Sequence, residues 1–287
     1  MVTLTCAVGD AEALSDLAWG HGATGIAELS EDCGPGSVRL VIGAADAGAA
    51  AHLVATLAAD GRCAIESVAL ADDAWADSWR AHATTHRAGP FGIRLPDHPP
   101  TDATFDIVIE PDSTFGYGHP TTLLALELLA TIDRPLGRVL DIGTGSGVLA
   151  IAASRLGADE VTAVDIDPDA VAACRANATR NAATVAVTCA DAASEPPAAP
   201  PEGYDVVLVN VTAVVQVALA DVVASVAGSD ATVVVSGILA HQESTVIASH
   251  SPILVVDRRE RDGWVALVLR RRPPSTAPPP VDTSPDE

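Results

Sequence analysis

Apolar and polar positions along the chain follow two rhythms, and the change between them divides it. Val2 to Val8 alternates and predicts a strand, Asp10 is placed to cap a helix to about Trp19, and Gly25 to Leu29 and Val38 to Ile42 read as short strands. Asp46 to Ala59 carries a helical period and Ala64 to Ala69 a last strand. The order βαββαβ is that of a ferredoxin-like split unit, assigned to residues 1–70. From residue 101 short apolar strands alternate with helical periods: strand Phe105 to Glu110, helix Leu123 to Ile132 capped by Thr121, strand Arg138 to Leu140, and helix Val148 to Leu156. The alternation continues with strand Glu160 to Val164, helix Pro168 to Asn181, strand Val185 to Cys189, strand Asp205 to Val209, helix Val214 to Val226, strand Thr232 to Ser236 and helix Leu239 to Ser249. Ile253 to Asp257 and Trp264 to Arg270 predict a closing hairpin that turns at Asp262 and Gly263. The result is an α/β, doubly wound parallel sheet over residues 101–272.

Two stretches break the pattern. In residues 71–100, Trp75 and Trp79 share one helical face and predict a linker helix, after which Gly89, Pro90, Pro96, Pro99 and Pro100 mark a loop or strand-turn connection. Residues 273–287 are proline-rich without an apolar face, which predicts a disordered tail.

Composition sharpens this picture at a few points. The 287 residues are 48% apolar but 3% aromatic, so the core is built from small aliphatic side chains. All 16 basic residues are arginine, and the formal charge is -22. A nucleic-acid binder needs a basic face to displace counterions, and this chain lacks one, so no direct nucleic-acid contact is expected. Residues 1–70 hold nine acids against two arginines, a net of -7 that suits a basic protein substrate. Five scattered cysteines without C-x-x-C spacing imply neither a disulfide framework nor zinc, and no other metal site is expected. His21 and His52 have no ligand set around them in sequence and read as surface or packing residues. No signal-peptide pattern opens the chain, and the apolar stretch Val206 to Val226 is interrupted by Asn210, Gln216 and Asp221, so a strand followed by a helix explains it better than a membrane span. A cytoplasmic protein is expected. Oligomeric state is not legible in sequence, with a monomer as the default expectation.

The candidate chemistry lies in V-L-D-I-G-T-G-S-G, Val139 to Gly147, and in V-D-I-D-P, Val164 to Pro168. A buried strand running into Gly143, Gly145 and Gly147 and then a helix marks a nucleotide-like ligand site at a strand's carboxyl end. The dinucleotide fingerprint G-x-G-x-x-G needs a small residue where this chain has Val148. Asp141 would repel a pyrophosphate and suits an ammonium or sulfonium ligand, and Asp165 ends the next strand where a carboxylate can accept ribose hydroxyls. These residues resemble the class I S-adenosylmethionine-dependent methyltransferases, which implies S-adenosyl-L-methionine as cofactor and a seven-stranded sheet with an antiparallel last strand.

The order of parts narrows the resemblance. A ferredoxin-like unit, a tryptophan-bearing linker, the turn F-G-Y-G-H-P-T-T from Phe115 to Thr122 and then the glycine loop resemble the ribosomal protein L11 methyltransferases over nearly the whole chain except the tail. That resemblance implies methylation of amino groups, lysine ε-amino or α-amino, on ribosomal protein L11. It places cofactor contacts on Thr122, Gly143, Asp165 and Asn210. Tyr117 stands where the family's turn usually has threonine, one residue is missing before His119, and N-V-T-A replaces N-I-L-A at Asn210. Both segments border the acceptor in the enzymes resembled, so another protein, a small amine, or a non-catalytic cofactor-binding scaffold stand as alternatives. Asn210 either orients the incoming amine through its amide oxygen or caps the helix beginning near Ala213. His119 either helps close the site or shapes the turn, and Asp191 either accepts from the adenine amino group or is a solvated loop acid. The lack of N-P-P-Y at Asn210 argues against amide and adenine N-methyltransferases.

Overall fold

A computed structural model describes residues 1–29, 34, 36–44, 47–68, 83–110 and 114–271. It divides into two compact units, Met1–Ala83 and Thr84–Glu287. The linker helix expected at Trp75 and Trp79, Cys33, and the expected disordered tail lie outside the described residues.

In the first unit, β1 (Val2–Ala7), α1 (Ala11–Gly20), β2 (Ala23–Leu29), β3 (Ser37–Ala44), α2 (Ala47–Asp60) and β4 (Cys63–Val68) follow the expected order. The sheet order is β2-β3-β1-β4 with antiparallel neighbours, which is the ferredoxin-like topology. Alternation along β1 buries Val2 and Leu4, which pack with Leu14, Leu40, Ile42, Leu53 and Leu57 in one apolar cluster. Asp10 precedes α1 but makes no capping hydrogen bond with its side chain, because its backbone is already helical in a preceding 3-10 turn. His21 Nδ1 and His52 Nε2 lie 3.2 Å apart and exposed. Among the described residues no group of three or more metal-ligating side chains occurs.

The second unit begins earlier than residue 101. β5 (His86–Ala88), β6 (Phe91–Arg94) and β7 (Phe105–Val108) form a three-stranded sheet, antiparallel then parallel. Residues 84–100, read from sequence as connection, therefore pack within this unit, with Phe91 and Ile93 in its core. Prolines flanking short strands hid them, since each strand is too short to show a period of its own. The main sheet uses β8 (Arg138–Ile142), β9 (Glu160–Asp165), β10 (Ala186–Cys189), β11 (Tyr204–Asn210), β12 (Ala227–Leu239), β13 (Ile253–Arg261) and β14 (Trp264–Arg271), in the order β10-β9-β8-β11-β12-β14-β13. β14 alone runs antiparallel to the other six strands. The chain winds outward from β8 to β10 and then restarts at β11 on the other side, so the carboxyl ends of β8 and β11 frame the switch point where open α/β sheets bind ligands. The hairpin turn is as expected: Asp262 and Gly263 both have positive φ, +53° and +79°.

Helices α3 (Pro120–Leu129), α4 (Val148–Arg155), α5 (Pro168–Arg180), α6 (Ala213–Val226) and α7 (Glu243–Ser249) complete the unit. α3 starts at Pro120, with His119 and not Thr121 as its cap: the proline has its φ preset for a first helical turn, and His119 Nδ1 accepts from the Thr121 amide. β12 is longer than its central V-V-V suggested, and α7 is shorter.

Asn177 of α5 and Asn181, its C-cap residue, hold β7 and the residues just after it in place. Asn181 exchanges both hydrogen bonds with the Val108 backbone, at 2.8 and 2.7 Å, and Asn177 does the same with Glu110, at 2.9 and 3.0 Å. They act as a surrogate strand, satisfying an edge that has no neighbour there. Asn177 Nδ2 also donates to Ser146 O, at 2.9 Å, so one buried side chain joins the glycine loop to the segment entering the turn before it. Asn177→Leu should destabilise the protein by about 3 kcal/mol, because it leaves several buried backbone groups unpaired. Chemical denaturation would measure this, and a loss within the range of a surface substitution would refute it.

Candidate functional site

The glycine loop is shaped by what lies behind it. Gly143, Gly145 and Gly147 have φ of +73°, +53° and +84°, and a β-carbon would come within 2.5 Å of Val211 Cγ1, 2.6 Å of Phe115 O and 2.6 Å of Cys174 Sγ respectively. All five loop amides already have partners inside the protein. Gly143 and Thr144 donate to Val164 O, Ser146 donates to Phe115 O and Gly147 to Thr144 O. Gly145 donates to Asp165 Oδ2 at 2.9 Å. No amide is left to cradle a phosphate, which agrees with the reading of the spacing against a dinucleotide.

Asp141 is fully buried beneath this loop, with Oδ2 accepting from Thr144 Oγ1 at 2.7 Å and Oδ1 without a partner. Burial, assisted by the Asp165 charge, pushes its pKa up to about 7. Asp165 is already oriented by two amides, Gly145 on one oxygen and Asp167 on the other. Ser146 Oγ, also buried, has no partner. An acceptor lone pair and a hydroxyl left open beside a loop that excludes phosphate fit a ligand bearing an ammonium and ribose hydroxyls. The residues present therefore fit S-adenosylmethionine.

The buried carboxyl makes a pH prediction. Since the folded pKa lies above the unfolded value of about 3.9, the contribution of the neutral form is complete below about pH 4 and is lost as pH rises through about 7. Asp141→Asn is neutral throughout, so the melting temperature of cofactor-free wild type minus that of the variant should fall across this window and level off above it. Parallel melting profiles would contradict the assignment.

Across the switch point, Asn210 ends β11 and donates from Nδ2 to Thr122 Oγ1 at 3.1 Å. Its Oδ1 is buried with no partner. Thr212, not Asn210, is the N-cap residue of α6, so the capping alternative for Asn210 falls away. His119 is largely enclosed: its ring lies 4.8 Å from that of Phe115 and edge-on to Trp264 at 5.1 Å, and burial pushes its pKa down to about 4. It is neutral near pH 7 and its visible work is to cap α3 and shape the turn. Asp191 is exposed and closes its own loop, accepting from Ala193 N and Ser194 Oγ.

The structure thus brings Thr122 to Asn210 and Asp165 to Gly145, with Asp141, Gly143 and Gly147 in the same loop. Three contributors were not singled out from sequence. Phe115 receives the Ser146 amide on its carbonyl, Val211 packs over Gly143, and Ile166 stands 67% exposed directly after Asp165. The signal for Ile166 was present: an isoleucine beyond the end of its strand, between two acids, has no core to enter.

Comparison with known proteins gives a consistent result. Residues 43–272 match the family described as ribosomal protein L11 methyltransferase (PrmA). The ribosomal protein L11 methyltransferase of Geobacter metallireducens is 43% identical over 208 residues, 70% of this chain and 67% of that protein. That of Symbiobacterium thermophilum is 37% identical over 208 residues, 70% of this chain and 66% of that protein. The aligned stretch thus spans about two-thirds of the length of these relatives. A crystal structure of ribosomal protein L11 methylase from Lactobacillus delbrueckii subsp. bulgaricus superposes with a TM-score of 0.58 at 27% identity, covering 66% of this chain and all of that one.

Proposed function

Because the chain belongs to the ribosomal protein L11 methyltransferase family, we propose that it is an S-adenosylmethionine-dependent N-methyltransferase acting on lysine ε-amino or α-amino groups of ribosomal protein L11. The observation that carries the reading is the Asn210 amide, anchored to Thr122 through Nδ2 and open at a buried Oδ1. When bound, S-adenosylmethionine supplies an electrophilic methyl group on a sulfonium centre. Gly143, Gly145 and Gly147 would shape the loop that borders it, packed from behind by Val211, Phe115 and Cys174; Asp165 would accept from its ribose, Asp141 would face its ammonium, and Asp191 would accept from the adenine amino group. His119 closes the turn beside the acceptor.

Asn210 Oδ1 accepts a hydrogen bond from the incoming amine and so turns the nitrogen lone pair outward. The amine must be neutral to react, although a free lysine has a pKa of about 10.4. Burial at Asn210 opposes its protonation. No strong acid or base is needed, since the enzyme contributes position and dehydration. The net charge of -7 over residues 1–70 suits a basic protein acceptor. Among the described residues no helix is long and apolar enough to cross a membrane, and the cytoplasm is the expected setting.

Tyr117, the departure in the turn, donates to Thr84 O at 2.9 Å and meets His86 edge-on. The shortened turn thus keeps a defined seat, with Phe115 still bonded to the glycine loop, which favours an active enzyme over a scaffold. Incubation with purified L11 and S-adenosylmethionine, read by mass spectrometry, should show methyl groups on lysine or the N-terminal amine. Cofactor binding with L11 left unmodified would overturn the acceptor assignment.

A further inference from the structure

Gln216, in the first turn of α6, is fully buried. Its Nε2 donates to Val209 O at 2.7 Å and to Ser236 O at 2.8 Å, with Val211 O at 3.5 Å. These carbonyls bracket Asn210, for Val209 and Val211 are its chain neighbours and Ser236 is its partner across the β11–β12 ladder. Ser236 Oγ in turn donates to Thr121 O at 2.9 Å, beside the Thr122 hydroxyl that receives Asn210 Nδ2. The path closes on itself: Asn210, Thr122, Thr121, Ser236, Gln216, Val209. Gly237 seals it from behind, with φ of +84° and no room for a β-carbon, which would lie 2.3 Å from Val211 O.

Gln216 Oε1 has no partner of its own. An aliphatic side chain of similar volume would avoid that unpaired oxygen, so packing alone does not favour glutamine here. The strand ends need a donor. We infer that Gln216 is a positioning residue for methyl transfer, holding the ends of β11 and β12 so that the Asn210 amide oxygen meets the acceptor amine in one orientation. This rests on the proposed role of Asn210.

The test is methylation kinetics of the full chain on purified L11, comparing wild type, Asn210→Ala, Gln216→Met, Ser236→Ala and each of the last two combined with Asn210→Ala. Gln216→Met should lower kcat about ten-fold, as a small misplacement of a reacting group does, while KM for L11 and the cofactor Kd stay within about two-fold. In the Asn210→Ala background the same substitution should change kcat by less than about two-fold, because nothing is left to position. Ser236→Ala, which removes the hydroxyl link to Thr121 O and the longer one, at 3.4 Å, to Val265 O, should follow the same pattern with a smaller loss and serves where Gln216→Met fails to fold. Full kcat in the folded single variants, or equal fold-losses with and without Asn210, would overturn the inference. Wild type that leaves L11 unmodified, or Asn210→Ala with full turnover, would overturn the underlying reading, and these outcomes do not involve Gln216.

Discussion

Asn210→Ala should lower kcat on L11 by about 100-fold, or about 2.7 kcal/mol of transition-state stabilisation, with cofactor affinity much less affected. The amide does two things at once: Nδ2 anchors it to Thr122 and Oδ1 presents a lone pair that no protein group occupies. Alanine removes both, leaving the amine dehydrated yet unaligned. Asn210→Asp keeps an oxygen acceptor but loses the donor to Thr122, so its loss should be intermediate. Thr122→Ala removes the anchor alone and should cost less than Asn210→Ala. Steady-state kinetics with a cofactor-binding measurement in parallel would check the ordering. A fall in cofactor affinity that accounts for the whole loss would move Asn210 from the acceptor to the cofactor.

Gly145→Ala should weaken cofactor binding at least about ten-fold, the scale expected when a backbone conformation costing about 1–2 kcal/mol is imposed on a non-glycine residue and a clash is added. Gly145 has φ of +53°, and the new β-carbon would lie 2.6 Å from the Phe115 carbonyl oxygen. That oxygen is backbone and is itself bonded to the Ser146 amide, so it cannot turn aside. The amide of Gly145 also orients Asp165, and displacing the loop disturbs that carboxylate as well. Gly157→Ala is the matched control: φ is +88°, but nothing lies within 4 Å of the added carbon. It should lower thermal stability by about 1 kcal/mol and leave the cofactor Kd unchanged. Calorimetric titration with S-adenosylmethionine distinguishes the two, and equal affinities in both variants would refute the argument.

Much of the architecture was legible because local chemistry and tertiary structure agree. Val139, Leu140 and Ile142 are apolar on both faces of their strand, as a central parallel strand requires, and Asp262-Gly263 can hardly do other than turn. By itself the sequence determined the βα alternation, the ferredoxin-like order, the position of the glycine loop and its aversion to phosphate. Each of these depends on residues close together in the chain, where spacing and backbone preference act directly. Of the three-stranded sheet at residues 86–108, β7 was legible as part of Phe105 to Glu110, whereas β5 and β6, of three and four residues, were not, since strands that short show no period of their own and are held by pairing with their neighbours.

Only the tertiary structure decided which groups of Asn210 and His119 are bonded and which are left open. A buried amide oxygen without a partner, a histidine kept neutral by enclosure, and a glutamine joining two strand ends depend on residues distant in sequence: Thr122 for Asn210, Trp264 for His119 and Ser236 for Gln216. Their chemistry arises from desolvation and from which lone pairs remain unfilled, and these quantities exist only once the sheet has closed around them.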